Sequence, residues 1–246
     1  MGYGLYLYGI FPAPGPQKLH LQGLDKQPVQ IKIIDEFAFL YSEAQQERYL
    51  ASRRNLLGHE KVLEAAMEKG YRTLLPLQFG SIVSEWESAA DSLTIPYGAN
   101  LKELFAKLEG RREVGVKIFW ETSAELQLLL EENQELKAKR DRLEGTPLSM
   151  EQTIAIGQEL EGALQNRQEK IIEEFQAALN PLALEIVEND LLTDTMIYNA
   201  AYLIPWQEET DFGERVESLD RKFNGRLRIR YNNFTAPFNF ATLNPD

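Results

Sequence analysis

Residues 3–11 form an unbroken aromatic and aliphatic run with glycine, the composition of a strand. APGPQ, residues 13–17, is a turn. Residues 18–22 alternate with period two, which places Leu19 and Leu21 inward and His20 outward. Residues 29–34 and 37–41 give two more strands around an Asp35-Glu36 turn. Helical periodicity follows over 46–69 and stops at Gly70. Short strands are predicted at 74–79 and 81–86.

The stretch 91–98 (DSLTIPYG) marks a boundary. Beyond it the pattern predicts a helix over 100–108, a strand over 113–120 and a charged helix over 122–143. Gly145-Thr146-Pro147 breaks that helix, and Ser149 with Gln152 three residues on opens another that ends near Leu179. Strands at 182–187 and 196–204, a helix at 208–223 and a strand at 227–231 complete the order β, α, β, β, α, β, that of a ferredoxin-like split βαβ unit. The predicted fold class is α+β with two domains. Residues 1–93 form an N-terminal α+β domain with one long helix. Residues 94–233 form a C-terminal ferredoxin-like split βαβ domain with an extended helical insertion. The tail, 234–246, is rich in aromatics and therefore expected to pack on the domains, with Phe234, Pro237, Phe238 and Phe240 as candidate interdomain contacts. An edge strand on its own sheet is the alternative.

Composition narrows the function classes. A net charge of −12 argues against nucleic acid as a partner. The charge is uneven: residues 1–93 hold 9 basic and 11 acidic groups, and the remainder 17 and 27. The absence of cysteine excludes disulfides, thiolate metal sites and a thiol nucleophile. No apolar run approaches the roughly 18 residues of a membrane span, so no contact with membrane lipid is expected. The N-terminal run has no basic flank, and Tyr6 stands where a myristoylation signal needs Ser or Thr. The expected location is inside the cell.

The segment RRNLLGHEKVLE, 53–64, concentrates the candidate chemistry, including one of the two histidines. At 100° per residue, Leu56, His59 and Leu63 share a buried stripe, Arg53 and Glu60 flank it, and Arg54 points to water. A histidine on an apolar face is more often a hydrogen-bonded core residue than a base. His59-Glu60 does not make HExxH, because position 63 is Leu63. Phosphate-loop, nucleophile-elbow and dinucleotide patterns are absent, and acidic runs such as Glu131-Glu132 read as solvated helix faces. No catalytic, cofactor-binding or metal-ligating residue is assigned. An enzyme using His59 is the least favoured reading. Leu129, Leu136 and Leu143 at heptad spacing allow self-association, with packing onto the 149–179 helix preferred.

GLYLYGI at the first strand, ERYLASRRNLLGHEKVLEAAM in the first long helix and LLPLQFGSIV after it resemble, in this order, the gas vesicle protein F/L family. YNAAYLIP and RLRIRYNNFTAPFNF extend the resemblance to the C-terminal half, and 48–80 is its most specific part. Gln78 departs from a commonly basic position, and APFNF stands where relatives tend to read GPxPPYxF. The resemblance implies a non-enzymatic part in building gas vesicles, as a minor structural component contacting the small hydrophobic shell protein and other vesicle proteins. A soluble assembly chaperone absent from finished vesicles is the alternative. The implied location is the vesicle shell, after a cytoplasmic stage. An aromatic opening strand suggests Tyr3 and Tyr8 as partner-binding candidates, and the exposed helix face adds Arg54. Tyr6 and Tyr8 in the core are the competing expectation.

Overall fold

In the computed structural model, residues 3–17, 19–90, 94–145 and 148–241 are described. The chain packs as two compact units. One comprises Met1–Val114, Leu203–Glu209 and Asn232–Asp246, the other Gly115–Tyr202 and Thr210–Tyr231. The sequence reading divides the chain instead at 93 and 233. Residues 91–93 of its boundary stretch, Thr146-Pro147 of its helix break and residues 242–246 of its tail lie outside the described residues.

The first unit is built on strands β1 (Gly4–Pro12), β2 (Gln30–Ile34), β3 (Phe37–Ala44), β4 (Leu75–Pro76) and β5 (Ile82–Val83). Their order is β2-β3-β1-β4, with β5 also on β1, and the pairings are antiparallel. The β1–β3 register shifts between Leu7 and Gly9, a bulge at Tyr8. Helix α1 (Arg53–Glu68) covers one face of the sheet, with its His59 ring against Tyr6 and Tyr8. On the other face Phe39 meets Trp86 of α2 (Trp86–Ala89), and Phe37 meets Phe105 of α3 (Ile95–Leu108). Burial on both faces explains why β1 reads as a continuous apolar run and not as an alternation. Gly9 lets α1 come this close: a Cβ there would meet the Leu63 side chain and the Leu75 carbonyl at 2.9 Å.

Helix α1 starts later than the periodicity suggests. Ser52 caps it by accepting from the Asn55 N–H, and 45–52 is irregular. Leu56 therefore lies in the first turn and is exposed, contrary to its expected place in the buried stripe, which begins at His59 and continues through Leu63 and Met67. Residues 19–23 form no strand either. Gln22 makes a single bridge to Pro28, while Leu19 is buried and His20 exposed, as the alternation indicated.

The second sheet is formed by β6 (Arg111–Trp120), β7 (Glu185–Glu188), β8 (Met196–Pro205) and β9 (Leu227–Thr235) in the order β7-β8-β6-β9. Numbered within this sheet, the order is 2-3-1-4, the arrangement of a ferredoxin-like split βαβ fold. The crossover after β6 is three helices long: α4 (Thr122–Glu132), α5 (Gln134–Gly145) and α6 (Met150–Leu179). Ser149 and Gln152 complete the expected capping box on α6. The heptad leucines do not share one helix, because Asn133 is extended and separates α4 from α5. Leu136 is buried, and α5 packs on α6. Helix α7 (Glu209–Phe223) sets Phe212 against Tyr202 and Tyr231, and Phe223 stacks on Phe175 of α6.

Candidate partner-binding surface

His59, the conspicuous polar residue of the α1 core face, is used internally. The Leu77 carbonyl can only accept, so His59 Nε2–H donates to it (3.1 Å). Nδ1 then accepts from the Tyr6 hydroxyl (2.9 Å), whose oxygen accepts from the Gly80 N–H (3.0 Å). Burial holds the His59 pKa down at about 4, against a smaller upward pull from the hydrogen bond to Leu77. The imidazole is thus neutral at pH 7, buried, and fully engaged by two partners that fix the helix to the sheet and to the 77–80 turn. These bonds give His59 a structural place in the core of the first unit.

Tyr8 belongs to the same interior. Its hydroxyl pairs with Ser42 Oγ (2.9 Å) and accepts from the Leu24 N–H (2.8 Å), and burial raises its pKa. Tyr8 is therefore not available to a partner, and its place among the partner-binding candidates is corrected: a bulge residue facing α1 is covered by that helix. Tyr3 is 61% exposed at the start of β1, its N–H donating to the Ala44 carbonyl. Arg54 is exposed, as the helix phase indicated.

Around Arg54 the structure gathers residues that sequence reasoning missed. The Leu50 carbonyl accepts from the Ser52 N–H (2.8 Å) and from Asn55 Nδ2–H (2.9 Å), which ties Leu50 to the first turn of α1. Leu50, Leu56 and Leu57 are 77%, 38% and 42% exposed there. Three leucines and one arginine thus rim a helix start.

The tail residues are largely interior to the first unit. Pro237 and Phe240 are buried, Phe234 packs against the main core, and the half-exposed Phe238 ring lies 6.4 Å from that of His59. The Lys107 ammonium sits over Phe240 at 5.6 Å. Asn239 donates through its backbone N–H (2.9 Å) and side-chain amide (2.6 Å) to the two oxygens of buried Glu113. Burial pushes the Glu113 pKa up to about 7, the Asn239 bonds opposing it.

The second unit buries a charge instead. Glu125 of α4 is inaccessible and receives two guanidinium groups, Arg226 (2.5 and 2.6 Å) and Arg167 (2.8 Å). Burial alone would raise its pKa; the hydrogen bonds from Arg226 and Arg167 outweigh that and hold it below the usual carboxylate range. Arg167 also binds the more exposed Glu132 (2.7 Å). Among the described residues no cluster of three or more His, Cys, Asp or Glu has a metal-binding arrangement, and no helix is long and apolar enough to cross a membrane.

The fold and its surfaces describe a two-unit α+β protein with hydrogen-bonded polar groups in its interior and several exposed leucines on its first unit. The chain belongs to the gas vesicle protein GvpL/GvpF family: the model for "gas vesicle synthesis protein GvpL/GvpF" matches residues 4–242. It is 60% identical to gas vesicle protein F of Nostoc sp. strain PCC 7120, over 99% of this chain and 100% of that protein. It is 58% identical to gas vesicle protein F of Dolichospermum flosaquae, over 99% of both. The solved structure of GvpF from Anabaena sp. PCC7120 is similar with a TM-score of 0.86 at 56% identity, covering 98% of this chain and 97% of that one. GvpF from Microcystis aeruginosa gives 0.85 at 56% identity, covering 98% and 100%. These relatives carry gas vesicle names and not enzyme names.

Proposed function

We propose that this protein is a minor structural component of the gas vesicle, needed for vesicle formation, and that its first unit contacts the small hydrophobic shell protein. Membership of the family supports the setting. The observation that carries the contact is the leucine rim at the start of α1. Scattered exposed leucines are ordinary, but Leu50, Leu56 and Leu57 are exposed at one helix start, to which the Leu50 carbonyl is tied by Asn55. A shell subunit with an apolar face is prone to aggregate before incorporation, and a rim of this kind covers such a face. Arg54 supplies a charged edge that fixes register, as polar groups around apolar contacts do. Tyr3 is a further exposed aromatic of the same unit. The protein is accordingly shell-associated inside the cell, works with other vesicle proteins and performs no catalysis.

The test is a binding measurement with purified shell protein and the full chain carrying Leu50→Ser and Leu57→Ser together. Both side chains are exposed, so the melting midpoint stays close to that of the parent, while affinity falls by roughly tenfold as apolar contact is lost. A folded double variant with undiminished affinity removes the rim from the contact.

A further inference from the structure

Strand β9 is the end strand of the second sheet, and among the described residues no strand lies beyond it. Period two divides its sequence into two faces. Leu227, Ile229 and Tyr231 share one face, with Tyr231 stacked on Phe212 of α7. Arg228 and Arg230 share the other, and both are exposed. Their guanidinium groups lie 4.3 and 5.1 Å from the centre of the Phe119 ring on the neighbouring strand β6. Lys117 is two residues from Phe119 on β6 and so shares that face. None of these three cations has an ion pair among the described residues, in a chain of net charge −12 where acidic groups outnumber basic ones 38 to 26. Arg226, the next in the ladder, is already engaged by Glu125. Beside the strip, Phe119, Trp120, Arg226 and Arg228 line a groove of about 390 Å³ together with Glu121, whose carboxylate accepts from Ser123.

We propose that this edge and the arginines above it form a docking strip for an extended acidic segment of a partner protein. A free strand edge offers alternate N–H and C=O groups to an added strand, and the side chains of that strand repeat on one face every roughly 6.8 Å. Arg228 and Arg230 repeat at the same interval along β9 and lean toward β6, so glutamates at alternate positions of the added strand reach across β9 to successive guanidinium groups. Cation–π contact with Phe119 restrains both guanidinium groups, and no carboxylate among the described residues pairs with them, which leaves their N–H edges for bidentate contact with a partner's carboxylates. Phosphate backbones are the poorer match, because a chain of net charge −12 repels them overall. The inference concerns the second unit and stands independently of the shell-protein contact assigned to the first.

The experiment uses the full chain and a fluorescein-labelled octapeptide of alternating valine and glutamate, with its valine–lysine counterpart as control, read by fluorescence anisotropy at low and high salt. The acidic peptide binds and the basic one does not. Arg228→Glu with Arg230→Glu weakens binding by at least roughly tenfold, as reversal of two contacting charges should, and rising salt weakens the parent complex. Arg228→Gln with Arg230→Gln gives a smaller loss and serves if the reversal impairs folding. Undiminished binding by either folded variant overturns the proposal. So does binding of a single-stranded oligonucleotide that equals the acidic peptide in strength and is lost with the same substitutions. Sedimentation decides the remaining case: if charge reversal dissociates a dimer of the parent chain, the occupant is a second copy and the partner assigned here is wrong.

Discussion

The two units bury ionisable groups in opposite ways. In the first, His59 is kept neutral: each ring nitrogen has one neutral partner, and burial depresses its pKa. In the second, Glu125 is kept charged by two guanidinium groups in direct contact. Both arrangements meet the same requirement, that a group removed from water be neutralised or matched. They differ in what happens when one member is lost. A neutral network loses hydrogen bonds, whereas a broken ionic cluster leaves an uncompensated charge in the interior.

The largest effect is therefore expected at Glu125. Glu125→Ala strands Arg226, leaves Arg167 with Glu132 alone, and should cost about 3–5 kcal/mol, measured by denaturant unfolding. A loss near 1 kcal/mol would show that the cluster behaves as a surface pair and would erase the contrast.

The next effect is a pH response specific to His59. Its folded pKa of about 4 lies below the ordinary imidazole value of about 6.5, so the unfolded chain binds more protons between these values. Stability from keeping it neutral is complete above pH 6.5 and falls by roughly 3 kcal/mol as pH drops to 4. Glu113 acts the other way: with its pKa raised to about 7, its contribution is complete below 4.5 and is lost as pH rises through 7. Subtracting the stability of His59→Ala from that of the parent at each pH cancels the Glu113 contribution. The difference should shrink from pH 6.5 to 4; a constant difference would mean that His59 is not held neutral by burial. At pH 7, His59→Ala itself should cost about 1–3 kcal/mol, because it removes the donor to the Leu77 carbonyl and the acceptor of the Tyr6 O–H. The smallest effect is at Arg54. Arg54→Ala should stay within about 0.5 kcal/mol in a thermal melt, since the side chain is exposed and has no hydrogen-bond or ion-pair partner among the described residues.

Local chemistry carried much of the fold into the sequence. Ser149 and Gln152 announced the start of α6, and the alternation of helical and strand patterns after residue 113 announced the split βαβ order that the second sheet adopts. The break at Asn133 was invisible because α4 and α5 are each helical in composition and the leucine spacing runs across the gap. His59 was legible as a core residue from its phase alone. Leu56 was not legible as a surface residue, because phase does not say where the sheet beneath a helix ends. Glu125 was missed for another reason. Its partners are 42 and 101 positions away, so no local pattern distinguishes it from the solvated glutamates around it. The leucine rim also needed the structure, since Leu50 joins the helix start only through bonds to Ser52 and Asn55.

The proposed structural role requires that the protein stay with the finished vesicle. The direct test is an immunoblot of intact vesicles, purified by flotation and washed in stages with salt, urea and detergent, alongside the cytosolic fraction. Signal retained through the washes is the predicted result. Signal confined to the cytosol would contradict it and make this protein an assembly factor that leaves before the shell is complete.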